Sequence, residues 1–370
     1  MKRRFTIALL LFAALLLAGA CATENRRPDE AAGAPASWPP GHRASDEWRP
    51  GRWAADPYAP AAAALPPAAH ARRWRITVEG RFQVKENPDN ENVRVFLPLP
   101  AESPYQQLHK YKIDPAPAEI RDSVNGHQIA VFDFGKQPAG WTFAIRYTAM
   151  ATIGKIRWPI DPEAIGPLTE VPAPIADVYL RDGPFFKIHD PAIERAAREA
   201  VGDERRPFEM IARIVSFASK RLTYDMHPTK LDAVEMLRTR RGSCTEHSFV
   251  IIALARSLGL PARYICGSAI RQNPTRGEYI DHVNHKIVEV YLPRFGWTPV
   301  ESTGNPQVGA ATPERYVGAS MHVMLFFAAE FEPGVAPIDP RANLFTIAPF
   351  GETTAVRLGS HVITRWEEIG

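Results

Sequence analysis

A chain of 370 residues is long enough for two or three hydrophobic cores, and 45% hydrophobic with 23% charged residues is an ordinary globular mixture. The formal net charge of +3 is too small to argue for nucleic acid, and no basic stripe with interleaved aromatics restores that argument. Proline is the outlier: 35 residues is nearly twice the usual share of about 5%, and much of the excess falls early in the chain.

The first twenty residues read as an export signal. Lys2, Arg3 and Arg4 form a basic start, Phe5 to Leu17 an apolar stretch too short to span a bilayer comfortably, and Ala18-Gly19-Ala20 precedes Cys21. The arrangement resembles a bacterial lipoprotein signal, which implies a lipid on Cys21 and a membrane anchor. It departs from that pattern in carrying Ala18 where leucine is usual, and the alternative is a plain cleaved signal. Residues 21–72 are rich in Ala, Pro and Arg without a sustained period, so they are expected to be a tether, with Trp48, Trp53 and Tyr58 free to dock or to stay solvated.

From Trp74 the pattern alternates. Ile76 with Val78 and Phe82 with Val84 read as a pair of strands. Val93 to Leu97, Ile129 to Phe134 and Trp141 to Tyr147 supply further strands, and Asn125-Gly126 marks a tight turn. A small antiparallel β-sandwich over 73–155 is expected, and without clustered catalytic residue types its default role is support or partner binding.

The period then becomes helical. Asp190-Pro191 opens a helix to about Val201, Pro207 opens a second with an apolar stripe through Met210, Ile211, Ile214, Phe217 and Ala218, and Asp232 caps a short third. A fourth helix begins at Ser243-Cys244-Thr245-Glu246, where S-x-x-E before an apolar run reads as a capping box, and it stops at Gly259. Cys244 falls on its first residue, where unpaired N–H groups and the macrodipole favour a thiolate.

Strands follow over Arg263 to Ile270, His285 to Leu292 and Trp297 to Val300. Forty-one residues after Cys244 stands His285, and sixteen further on Glu301, a set able to act as nucleophile, base and orienter. If the hairpin between the last two strands is odd, Tyr291 faces Trp297 and Glu301 shares a face with His285. If it is even, Glu301 turns away. His282 is a rival base, and Cys244, Asp281, His282 and His285 lack the paired spacing of a zinc site. Cys266 reads as a small buried strand residue; a disulfide with Cys244 is the alternative to two free thiols with only Cys244 exposed. The tail, 306–370, keeps one apolar run, Met321 to Ala328, which completes a sheet or covers one.

Gly242-x-Cys244, Ser257-Leu-Gly-Leu-Pro-Ala-Arg263, His285-x-x-x-Glu289-Val-Tyr-Leu-Pro and Gly296-Trp297-Thr-Pro-Val-Glu301 together resemble the transglutaminase-like superfamily of papain-like cysteine enzymes. The resemblance covers about 210 to 303, and the β-rich region is similar to that of bacterial members. It implies an α+β fold over 176–305, with the nucleophile at a helix N-terminus and base and acid on adjacent antiparallel strands. Two positions depart: Glu301 stands where the family has aspartate, and Ile287 where it has tryptophan. The longer carboxylate arm shifts the acid by roughly an ångström. The implied chemistry is acyl transfer on peptide or amide bonds through Cys244, His285 and Glu301, needing no cofactor, with water or an amine as acceptor. The expected substrates are cell-envelope proteins or peptides. Tyr224 is a candidate oxyanion donor beside the Cys244 N–H. A non-catalytic binding or scaffolding module on the same fold is the competing reading.

Overall fold

The computed structural model describes residues 69–369 apart from 104, 123–127, 227–230, 273–276, 304–315, 329–340, 343 and 348–353. The expectations for residues 1–20, Cys21 and most of the tether, and for the Asn125-Gly126 turn, lie outside the described residues.

The chain opens with six strands: β1 (Ala69–Glu86), β2 (Asn92–Leu99), β3 (Gln106–Asp114), β4 (Glu119–Asp122), β5 (Gln128–Lys136) and β6 (Thr142–Lys155). Their alternating burial, as in Ile145, Tyr147, Ala149 and Ala151 of β6, is the period of two expected of half-buried strands. The two short runs about Gly80 are one continuous strand rather than a pair. Gly80 lies mid-strand because a Cβ there would come within 2.7 Å of the Phe82 ring and 2.9 Å of Phe345, so it makes room for aromatic packing instead of a turn.

Helices α1 (Ala173–Tyr179), α2 (Pro191–Val201) and α3 (Pro207–Arg221) come next, and then the two-residue strand β7 (Thr223–Tyr224), α4 (Ala233–Thr239) and the two-residue strand β8 (Arg241–Gly242). Asp190 and Asp232 accept backbone N–H groups at the starts of α2 and α4, as N-cap aspartates do. Helix α5 (Cys244–Ser257) is buried on all sides from Cys244 to Arg256, which marks it as the central helix of its domain. It packs against α2, α3 and α4 and against a sheet. That sheet has the order β12-β11-β9-β13, built from β9 (Ala262–Ile270), β11 (His285–Leu292), β12 (Gly296–Val300) and β13 (Val323–Ala328). The short strand β10 (Glu278–Asp281) precedes β11, and β14 (Arg357–Glu368) closes the series.

The tail does not simply cover a sheet; it completes two. Strand β13 adds to β9 as the outer strand of the α5 sheet. Strand β14 lies between β1 and β10, giving a five-stranded sheet of order β10-β14-β1-β6-β3, beside a three-stranded sheet β2-β5-β4. The N-terminal strands, the last strand and the segment leading into β11 are therefore joined by backbone hydrogen bonds. The apolar cores of the β-rich and helical parts are likewise continuous, running from Trp74 and Tyr147 through Ile214 and Phe249 to Trp366.

A buried polar cluster ties the same parts together. Glu289 of β11 accepts hydrogen bonds from Tyr105 (2.7 Å) and Arg263 (2.7 Å), with all three side chains buried. The Arg263 guanidinium also lies 4.0 Å from the Trp297 ring centre. The side-chain amide of Gln106 acts as a substitute strand for β13, accepting from the Phe326 N–H (2.8 Å) and donating to the Phe326 carbonyl (3.0 Å). Glu289 and Arg263 satisfy one another in a dry setting, so removing one partner strands a charge. Glu289→Ala is expected to destabilise the protein by about 3–5 kcal/mol, read as a lower midpoint in chemical denaturation.

Candidate active site

The site begins with the start of α5. Ser243 has extended backbone, its Oγ accepts the Thr245 N–H at 3.2 Å, and its own N–H donates to Glu246 Oε2 at 2.9 Å, which completes the capping box. The cap holds Cys244 at the first helical position, where the positive end of the dipole acts on sulfur. Gly242 precedes it for want of room. A Cβ there would lie 2.6 Å from the Met236 sulfur and 2.8 Å from the Glu246 Cβ.

The β11–β12 hairpin brings the other two groups. Arg294 and Gly296 have φ of 69° and 95°, left-handed values that close an odd connection. The resulting register pairs Tyr291 with Trp297 and Val288 with Val300. This is the register that turns Glu301 toward His285, and the distance from His285 Nε2 to Glu301 Oε1 is 2.8 Å. The longer arm of glutamate therefore reaches the ring.

The Cys244 thiol is the other hydrogen-bond partner of the His285 ring, whose Nε2 is taken by Glu301. The Cys244, His285 and Glu301 side chains thus converge from a helix start, a strand start and the residue after a strand. All three are buried, with Glu301 inaccessible and Cys244 5% exposed. Cys244 is not the exposed thiol of the sequence reading: like Cys266 it is buried. Cys244 and Cys266 are both free, so the disulfide alternative does not hold.

Burial raises the Cys244 thiol, but the His285 hydrogen bond and positive charge, with those of Lys286 behind them, reverse the shift and leave it below the ordinary thiol value. Burial disfavours charge on His285 too, yet the Glu301 carboxylate and the thiol hydrogen bond push it up to about 10. For Glu301 burial again works against charge, and the His285 charge and hydrogen bond hold the carboxyl below its usual range. The three directions are mutually consistent: each favours charge on sulfur, ring and carboxyl over what burial alone would allow.

Several neighbours had no signal in the sequence. The Met321 N–H donates to Glu301 Oε2 at 3.2 Å, and the His322 ring meets the His285 ring edge to face at 5.4 Å. Both residues stand just ahead of β13, anchored where Ser320 Oγ accepts the Ile156 N–H at 3.0 Å. Asp281 is buried and belongs to the scaffold: it accepts from Ser268 (2.9 Å), the Ala269 N–H (2.9 Å), the Val283 N–H (3.2 Å) and Arg271. Trp366 of β14 donates to the same Ser268 hydroxyl at 3.0 Å.

The remaining candidates fall into place around this centre. Tyr224 hydrogen-bonds Cys244 and lies 6.1 Å, ring to ring, from His247. His247 is buried, with Nδ1 2.8 Å from the Ser243 carbonyl, and His282 is exposed. Ile287 packs among Tyr105, Trp158 and Phe326. Cys266 is a buried strand residue, and the Lys286 ammonium donates to its sulfur at 2.7 Å. Among the described residues no cluster of three His, Cys, Asp or Glu side chains has the arrangement of a metal site.

Residues 194–302 match the transglutaminase-like superfamily. An uncharacterised protein of Haemophilus influenzae is 28% identical over 144 residues, which is 34% of this chain and 39% of that protein. The uncharacterised protein YebA of Bacillus subtilis is 33% identical over 75 residues, 18% of this chain and 10% of its own length. The chain thus spans well under half the length of either curated relative. Among solved structures, that of a candidate cysteine protease from Cytophaga hutchinsonii superposes with a TM-score of 0.54 at 16% identity, covering 79% of this chain and 99% of that one. The last likeness is one of fold.

The charge pattern makes a prediction about pH. The Cys244 thiolate is held by His285, so alkylation by iodoacetamide should already be fast at neutral pH and fall only as pH drops below the lowered thiol value. In His285→Ala the raising effect of burial is opposed only by the weaker influence of Lys286. Alkylation is expected to vanish near neutrality and return only above the ordinary thiol range, which a pH series of labelling rates measures.

Proposed function

Residues 194–302 belong to the transglutaminase-like superfamily, and from that premise we propose that the protein is a cysteine-dependent acyl-transfer enzyme acting on peptide or amide bonds. The observation that carries the reading is the chain of contacts from thiol to imidazole to carboxylate, with the His285–Glu301 bond at 2.8 Å.

In the proposed cycle the Cys244 thiolate attacks the carbonyl carbon of an amide, and the negative charge moves to the oxygen. The Cys244 N–H at the helix start and the Tyr224 hydroxyl are the donors proposed for that oxygen. His285, as imidazolium, passes a ring proton to the leaving nitrogen as the C–N bond breaks, which leaves a thioester on Cys244. The neutral ring then takes a proton from the acceptor, water or an amine, as that acceptor attacks the thioester and expels the thiolate. Water gives hydrolysis and an amine gives cross-linking. Glu301 carries the compensating charge in both halves. Buried as it is, it orients the ring and makes the imidazolium affordable in a dry site.

The basic, apolar and small-residue order of residues 1–20 supports an envelope location, with a lipid on Cys21 as the proposed anchor. Envelope proteins or peptides are then the accessible substrates. A binding module on the same fold is the second reading, and the low exposure of Cys244 favours it. Comparison of envelope peptides from cells carrying wild-type protein with those carrying Cys244→Ala separates the two. The enzyme reading expects peptides or cross-links that depend on the thiol, whereas the module reading expects identical profiles.

Two outcomes follow for the purified protein. Glu301→Gln keeps a group able to bond the ring but removes the charge, so turnover is expected to fall by on the order of 10²–10⁴-fold. Because His285 must enter the first step protonated, the rate should fall as pH rises through about 10, and in Glu301→Gln that fall should move to lower pH.

A further inference from the structure

Among the described residues five large apolar side chains stay exposed: Tyr224, Met226, Ile280, Val283 and Met321. Single exposed apolar residues are ordinary, but these are not scattered. Tyr224, 48% exposed, hydrogen-bonds the Cys244 thiol, and Met226, 53% exposed, stands two residues later. Val283, 43% exposed, stands two residues before His285, and Met321, 40% exposed, binds Glu301 through its backbone. Ile280 precedes Asp281 on β10.

The exposure is built in, because the backbone at each of these places is held. Tyr224 pairs with Gly242 across β7 and β8, and the Asp225 N–H donates to the Gly242 carbonyl at 2.9 Å. Asp281 accepts the Val283 N–H, and Ser320 anchors the segment before Met321. Two of these apolar residues thus belong to the segment that reaches Cys244, and two to the segments that carry His285 and contact Glu301. Of the charged groups nearby, Arg271 is paired with Asp281 and Arg241 with Asp225 at 3.0 Å, and His282 beside Val283 is exposed. Such walls offer little to a charged side chain and a sizeable burial to a branched or aromatic one.

We propose that the exposed apolar residues near the site, Tyr224 with Met226 and Val283 with Met321, form subsites for an extended polypeptide that carries large apolar side chains on both sides of the reacting amide. The proposal rests on the acyl-transfer reading for the identity of that amide. It selects protein segments rich in Leu, Ile or Phe over short envelope peptides of alanine and charged residues.

The test measures binding apart from chemistry. Full-length protein with Cys244→Ala is applied to an array of immobilised decapeptides in which each position in turn is Ala, Leu, Phe, Asp or Lys, and solution affinities follow by fluorescence anisotropy. Leu and Phe are expected to be preferred at positions on both sides of a central residue. Met226→Gln, Val283→Asn and Met321→Gln, introduced together, should weaken the best apolar peptide at least about tenfold and leave the all-alanine peptide unchanged. Each of the three is exposed, and a thermal melt checks that the variant folds. Preference for Asp, Lys or Ala, binding of no peptide, or equal affinity in the triple variant would overturn the subsites. Turnover of the bound peptides by wild-type protein is scored separately: peptides that bind but are never cleaved or transferred leave the subsites standing and remove the acyl-transfer reading.

Discussion

A carboxylate closed off from water must be matched by a positive charge, and Glu301 meets that condition through His285 at 2.8 Å. Much of the architecture serves this pair. The odd β11–β12 connection turns Glu301 to the histidine, and the Met321 and Thr303 N–H groups add donors to its oxygens. The imidazole so charged is what lowers the thiol against its own burial. Without the carboxylate, a buried histidine would stay neutral and a buried thiol would stay protonated.

The reach of glutamate and the packing at Ile287 are connected to this. A longer acid needs its terminal oxygens held, and the segment before β13 supplies that hold through Met321 while Ser320 is fastened to Ile156 at the end of the β-rich region. Ile287 lies in a cluster with Tyr105 and Trp158, aromatic residues from that same region and the passage after it. Thus the β-rich part does not stand apart from the crevice. It fills the space beside β11 and braces the acid that faces His285.

What could be read in the residues was what local chemistry dictates. The capping box, the proline starts of α2 and α3, and the Asp232 cap each depend on a few neighbouring side chains, and these helix starts lie where those residues put them. The two possible registers of the β11–β12 hairpin followed from a period of two, although only the geometry at Arg294 and Gly296 decides between them. What could not be read depends on distant partners. Gly80 looks like a turn until Phe82 and Phe345 are seen to need its space. The burial of Cys244, the Met321 contact with Glu301 and the double role of the tail come from segments tens of residues away, with no periodic signal between them.

Strand β14 has a consequence for the order of events. It lies between β1, from the beginning of the described chain, and β10, which leads into His285, and Trp366 reaches Ser268 and so the Asp281 clasp. During synthesis the ribosome therefore releases thiol, imidazole and acid well before the strand that steadies them. Contacts of such large sequence separation form late and slowly. Until β14 has formed, a nascent chain would hold Cys244, His285 and Glu301 without the strand that steadies the segment leading into β11.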